Sequence, residues 1–251
     1  MPEQEHSFET PGPVRLDVKV MSCDVDVTSV DGPQSRLVLD GAQNVLDGLR
    51  IEQVGDRLVV EELKKSFFGI RFDREKLKLR AEIPHESRVG VATASGDVEL
   101  AGTFGGVDVK SASGDVNLTG ELHGKANVGN VSGDVHITRV IGDLSVKTVS
   151  GDVIAHAVDG SISVRAVSSD LFVAEVHQGR VDVQTVSGDI TLGIPSGTNV
   201  DVDAGSASGV LSSEIPLSRD ASGAAGDGPT VVIRANTVSG NVLVRRAAPV
   251  A

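Results

Sequence analysis

Serine and aspartate recur together in this chain, five times as Ser-Gly-Asp. The copies are Ser95-Gly96-Asp97, Ser113-Gly114-Asp115, Ser132-Gly133-Asp134, Ser150-Gly151-Asp152 and Ser187-Gly188-Asp189. A hydroxyl beside a carboxylate has two parts of an acyl-transfer site, but the third part, a histidine that takes the proton, must match them. The six histidines, His6, His85, His123, His136, His156 and His177, share no spacing of metal-ligand type, and no histidine matches the tags. Cys23 has no obvious base nearby and reads as a small buried residue. No G-x-S-x-G, phosphate-binding loop or G-x-G-x-x-G after a strand is present. We therefore expect no catalytic residue, metal ligand or cofactor, and read the chain as not an enzyme.

The tag has a simpler chemistry as a corner. Glycine accepts a backbone turn that residues with a Cβ resist. Asp can accept a hydrogen bond from a backbone N–H two residues on, and Ser does the same more weakly. If the copies stack, Asp97, Asp115, Asp134, Asp152, Asp170 and Asp189 form a column of carboxylates. Such a column needs screening, hydrogen bonds or a bridging cation. Calcium-binding repeats use a nine-residue unit of different glycine pattern, so the corner is preferred and calcium is the lesser alternative.

The elements that carry the tags are set by their period. A worn copy, Ser168-Ser169-Asp170, fills the one gap, and Ser208-Gly209-Val210 and Ser239-Gly240-Asn241 extend the series. Successive serines are 18, 19, 18, 18, 19, 21 and 31 residues apart. A steady period near that length is the mark of a repeat architecture. Apolar residues hold constant phase to each tag: Val107, Ala126, Leu144 and Ile162 six before it, Val109, Val128, Val146 and Val164 four before it. Val116, Val135, Val153 and Leu171 follow three after it, and Leu118, Ile137, Ala155 and Val173 five after it. Gly105, Gly124, Gly142, Gly160 and Gly179 mark a second corner. Apolar residues two apart share one face of a strand. Each period then holds up to three short strands, and stacking them puts column members about 4.8 Å apart. The expected fold is all-β: a right-handed parallel β-solenoid (β-helix) of about 18–19 residues per coil with an N-terminal β cap. An antiparallel meander with the tag as a hairpin turn uses the same alternation; the period favours the solenoid. The valines on both sides of each tag, such as Val149 and Val153, read as core anchors.

Three regions follow. Residues 1–13 are a polar, proline-bearing lead-in expected to be flexible. Residues 14–86 form an N-terminal β region and cap, with strands near 36–40, 49–54, 57–62 and 77–83, the middle two joined at Gly55-Asp56. Residues 22–27, Ser-Cys-Asp-Val-Asp-Val, look like an eroded tag. Residues 87–251 carry the repeats, with a small-residue loop at 217–229 expected to be mobile. Within the cap, Phe67, Phe68 and Phe72 lie among basic residues. They read as a hydrophobic lid on the end of the stack, or as a loop touching an anionic membrane or a partner. Ile154 and Phe172 would be outward neighbours on adjacent coils, a small apolar patch for a partner.

Composition limits the partners. The core must be aliphatic, because the 251 residues include no Trp and no Tyr. A net charge of −12 argues against nucleic acid. No apolar run is long enough to span a bilayer as a helix, and the start has no basic-then-apolar export pattern. The expectation is a cytoplasmic protein that binds a protein partner or itself, with peripheral membrane contact not favoured.

The repeated Val-Ser-Gly-Asp-Val tag resembles a bacterial family of β-strand-repeat, adhesin-like proteins of unknown function. The opening, Phe8-Glu9-Thr10-Pro11-Gly12-Pro13-Val14, and the close, Val232 to Ala235 and Val242 to Arg246, resemble its actinobacterial branch. The resemblance spans nearly the whole chain. It implies a β-solenoid and carries over no functional residue. The functional expectation is a non-catalytic scaffold or protein-interaction module, self-assembling or not. The alternative is a surface or envelope-associated adhesin-like module; a calcium-binding repeat and a polysaccharide-processing enzyme rank below both.

Overall fold

The computed structural model describes residues 2–63, 77–215 and 228–247. Period-two alternation of β-branched residues makes most of these residues strand. The N-terminal part contains β1 (Glu3–Glu9), β2 (Arg15–Val30), β3 (Gln34–Asp40), a four-residue helix α1 (Gln43–Leu46), β4 (Leu49–Val54), β5 (Arg57–Glu62) and β6 (Leu77–Pro84). The repeats contain β7 (Ser87–Ser95), β8 (Val98–Ser113), β9 (Val116–Leu122), β10 (Ala126–Gly129), β11 (Val135–Val140), β12 (Leu144–Lys147) and β13 (Val153–Asp159). They continue through β14 (Ile162–Arg165), β15 (Leu171–Gln184), β16 (Ile190–Ile194), β17 (Asn199–Ser208), β18 (Leu211–Ser213), β19 (Thr230–Ser239) and β20 (Val242–Arg246).

Equivalent strands of successive repeats lie parallel and in register. Ala126 pairs with Leu144, and Leu144 with Ile162. Val135, Val153 and Leu171 form a second line that continues to Ile190 and Val242. This parallel pairing excludes the meander. The columns are the core: Val135, Val153, Ala155 and Val173 have no exposed surface. Each fully buried Val, Leu or Ile contributes about 1.5–3 kcal/mol.

Closure corrects the sequence expectation. The open right-handed parallel β-solenoid is not the observed fold; the parallel strands close into an 8-strand parallel β-barrel with the extra strands outside it. The long strands show how a sheet can curl in this way. β2 pairs with β5 and β7 over its first half and with β6 and β8 over its second. β15 likewise joins β13 and β16 at its start to β14 and β19 at its end. Strands that bend through a corner link ladders on different faces into one 20-stranded sheet, and closing a sheet removes its exposed edges.

Stacking order is the second correction. The layers do not follow chain order at either end. Ser187 pairs with Ser239, not Ser208, and β19 lies between β15 and β17. At the other end β2 lies directly against β7, Leu16 opposite Val89, with β5 on its far side. The eroded tag sits where a tag should: Ser22 pairs with Ser95.

Residues 3–9, expected to be loose, form β1, antiparallel to β3 from Glu3–Asp40 to Glu9–Gln34. Buried Thr10 and Ser35 share a hydroxyl hydrogen bond of 2.8 Å just beyond it. Asp17 sits on the polar face of β2, yet it is buried, because the guanidinium groups of Arg15 and Arg57 cover and neutralise it. The aromatic residues Phe67, Phe68 and Phe72, and most of the 217–229 loop, lie outside the described residues.

Candidate functional site

The tags stack into one edge of the molecule, and each of their residues has a separate task. Gly114 and Gly133 take φ values of +113° and +115°. A Cβ on either would collide with the carbonyl oxygen of the tag glycine one layer away, Gly96 or Gly114. Conformation and crowding therefore both demand glycine. The worn copy escapes without a left-handed residue: Ser169 is buried, and its hydroxyl reaches the Asp170 carbonyl at 3.3 Å.

The aspartates form a hydrogen-bonded ladder. The backbone N–H of Asp115 donates to Asp97 Oδ1 at 2.9 Å, Asp134 to Asp115 at 2.9 Å, and Asp152 to Asp134 at 2.8 Å. Asp170 donates to Asp152 at 3.1 Å and Asp189 to Asp170 at 2.7 Å. Asp24 of the eroded tag accepts from Asp97 at 3.2 Å, and Asn241 donates to Asp189 at 2.7 Å. The partner thus lies one layer on, 18 or 19 residues away between Asp97 and Asp189 and 73 or 52 residues away at the two ends, not two residues away as the Asx-turn reading supposes. Each rung offsets like-charge repulsion with a charge-assisted hydrogen bond. Among the described residues, no three His, Cys, Asp or Glu side chains converge as a metal site requires.

Two columns were missed by sequence reasoning. Two before the tag serine stands a buried small polar residue in most copies; Ala166, before Ser168, and half-buried Ser206 are the exceptions. Thr93, Ser111, Thr148 and Thr185 donate their hydroxyls to the carbonyls of Ser95, Ser113, Ser150 and Ser187 at 2.9–3.0 Å. Asn130 does so with Nδ2, to Gly133 at 3.0 Å and Gly114 at 3.1 Å. One before the tag serine, an apolar residue faces water, valine in five copies and alanine at Ala94, Ala112 and Ala207. Val131, Val149, Val167, Val186 and Val238 are 48–54% exposed on consecutive layers. The reading of Val149 as a core anchor is corrected; only Val153 is buried. The signal was present, since counting in twos from buried Val146 turns Thr148 inward and Val149 outward.

Ile154 and Phe172 are paired neighbours as expected, but both are half-buried, and Arg245 lies 5.3 Å from the Phe172 ring centroid. Near the second corner, His123 bridges Glu86 at 2.7 Å and Glu121 at 3.2 Å. Arg139 reaches Glu121 and Asp159, and His177 reaches Asp159 and Glu175. The hydrogen bond to Glu121, helped by Glu86, raises the His123 pKa above its ordinary value. Burial pushes the Cys23 thiol up to about 12, which leaves it protonated. A shallow groove of about 220 Å³ runs along β14 and β15, lined by Ser163, Arg165, Arg180, Asp182 and Gln184.

These features define an all-β repeat protein whose ordered polar residues serve the fold and whose tag-side valines face water. The chain belongs to the Toastrack DUF4097 family, whose model matches residues 14–245. No curated protein matches it. Among solved structures it is similar to a candidate lipid binding protein from Parabacteroides distasonis, with TM-score 0.58 and 16% identity over 97% of this chain and 96% of that one. It is also similar to a candidate adhesin from Bacteroides fragilis, with TM-score 0.48 and 15% identity over 97% of each chain. At 16% identity the likeness to the first concerns the fold alone. No described helix is long and apolar enough to cross a membrane.

Proposed function

We propose that the protein is a non-catalytic binding module that presents its outer columns to a partner. One observation carries this reading: the five exposed valines on consecutive layers. Single exposed apolar residues are ordinary, but a contiguous apolar stripe marks an interaction surface. The tag serines support a non-catalytic role, because Ser113 and Ser150 hydroxyls turn to carbonyls of the neighbouring layer, Ala94 and Val131. The test is quantitative affinity capture from the native cell with wild type and with a Val149→Ser, Val167→Ser, Val186→Ser variant. Partners held by wild type and lost by the folded variant are expected; capture identical in both refutes the ridge as the binding face.

A second reading, an envelope-associated adhesin-like module, uses the same ridge and differs in where the chain resides. Fractionation of the native cell separates it from a cytoplasmic scaffold.

A further inference from the structure

We propose that the partner seated on the valine ridge is a second copy of this chain, related by a two-fold axis parallel to the stack. The proposal rests on the reading of the ridge as a binding face and names its occupant. Val131, Val149, Val167, Val186 and Val238 rise through five layers, a span of roughly 19 Å at 4.8 Å per layer. Alanines extend the column at Ala112 and Ala207, both exposed. A column of identical apolar residues offers the same surface to a second copy of itself, as a two-fold interface requires.

The charges beside the ridge select the partner and its orientation. Side chains two apart on a strand share a face. Lys110, Lys147 and Arg165 are exposed two residues before ridge positions 112, 149 and 167, and so stand on one side of the column. On the other side, past the tag corner, runs the exposed aspartate column, including Asp115, Asp152 and Asp170. At the layers of Lys147 and Arg165 the ridge therefore separates basic residues from acidic ones; Gly129, Gln184 and Asn236 hold the same place on the other valine layers, and Lys110 is paired with Asp108 at 3.7 Å. A two-fold axis across the stack would set basic on basic and acidic on acidic. An axis along the stack sets each basic flank on the other copy's acidic flank. Lys147 then comes level with the second copy's Asp152, and Arg165 with its Asp170. Opposed charges guide association, and like charges disfavour the alternative.

The orientation makes a specific prediction about self-contact. With the axis along the ridge, every ridge residue meets its own counterpart. Single variants Val149→Cys, Val167→Cys and Val186→Cys should each give a disulfide-linked homodimer on mild oxidation, while wild type, whose Cys23 is buried, should not. Across the stack, only the central position would meet itself. Sedimentation equilibrium of the full chain should show a concentration-dependent dimer. Val167→Lys should weaken it at least tenfold, and raising the salt should weaken it further, with circular dichroism reporting that the variant keeps its fold. A wild type that stays monomeric at the highest concentration reached overturns the proposal, whereas capture of a different protein through the ridge would still uphold the binding-face reading. Cross-linking at Val167→Cys alone also overturns it, as does a dimer that Val167→Lys leaves intact.

Discussion

Asp152 offers a direct measurement of what holds the tag edge together. Its Oδ1 accepts the Asp170 N–H at 3.1 Å, and its own N–H donates to Asp134 Oδ1 at 2.8 Å. A net intramolecular hydrogen bond is worth about 0.5–1.5 kcal/mol, somewhat more with a charged acceptor. Against it stand two neighbouring carboxylates. A like-charge pair about 5 Å apart costs about 0.8 kcal/mol in water, less as salt screens it. Asp152→Asn keeps an acceptor and drops the charge. Asp152→Ala drops both. Asn241 already shows an amide as a rung, since its Oδ1 accepts the Val210 N–H at 2.9 Å. At low salt the expected order of stability is Asn above Asp, by up to about 1 kcal/mol. Ala should lie about 1 kcal/mol below Asn at every salt concentration. Salt should close the gap between Asp and Asn. About 1 kcal/mol corresponds to roughly 2–4 °C in Tm for a chain of this size. Circular dichroism melts suit the measurement, because the chain has no Trp or Tyr for fluorescence. If Asp152→Asn melts as low as Asp152→Ala at all salt concentrations, the ladder does not work by neutral-replaceable hydrogen bonds and the reasoning fails.

Four further outcomes are expected. Gly133→Ala should cost at least about 2–3 kcal/mol, since it combines a strained φ with a clash against the Gly114 carbonyl; a chemical denaturation midpoint unchanged from wild type would contradict this. Thr148→Val should cost about 1 kcal/mol by removing the 3.0 Å bond to the Ser150 carbonyl while keeping the shape, read by the same denaturation. Val153→Ala should cost about 2 kcal/mol while Val149→Ala costs under about 0.5 kcal/mol, because only the first is buried; equal costs would return Val149 to the core. In an NMR pH titration His123 should titrate above the ordinary imidazole value, and Glu121→Gln should bring it down. Because the folded pKa is raised, any stability His123 adds is present below the ordinary value and lost as pH rises through the raised one.

Much of the architecture can be read without coordinates, because it depends on neighbours along the chain. Alternation at 36–40, 49–54 and 57–62 marks strands that the structure contains as β3, β4 and β5, with β4 and β5 antiparallel across Gly55-Asp56. The in-phase columns at Val135, Val153 and Leu171 follow from the period alone and pair as the period demands. The adjacency of Ile154 and Phe172 follows for the same reason. Composition concealed one local fact: the valine of Val149 suggested core, although its phase from Val146 pointed outward.

Other features required the tertiary structure. Tag spacing orders the repeats along the chain, but the order of the layers is set by which strand edges fit each other in space. That is why Ser239 displaces Ser208 beside Ser187, and why β2 abuts β7 across a separation of 73 residues. Closure of the parallel strands likewise depends on how strands bend and twist through corners, which no spacing records. The Ser-Gly-Asp tag was legible as a corner from its residue types. That its carboxylate bonds the next layer, and that its preceding valine joins a ridge, exists only once non-adjacent segments are stacked. The sequence by itself determined the repeat, its period and its aliphatic columns; the tertiary structure decided order, closure and the stacking of the exposed valines into one column, because those rest on contacts between residues far apart in the chain.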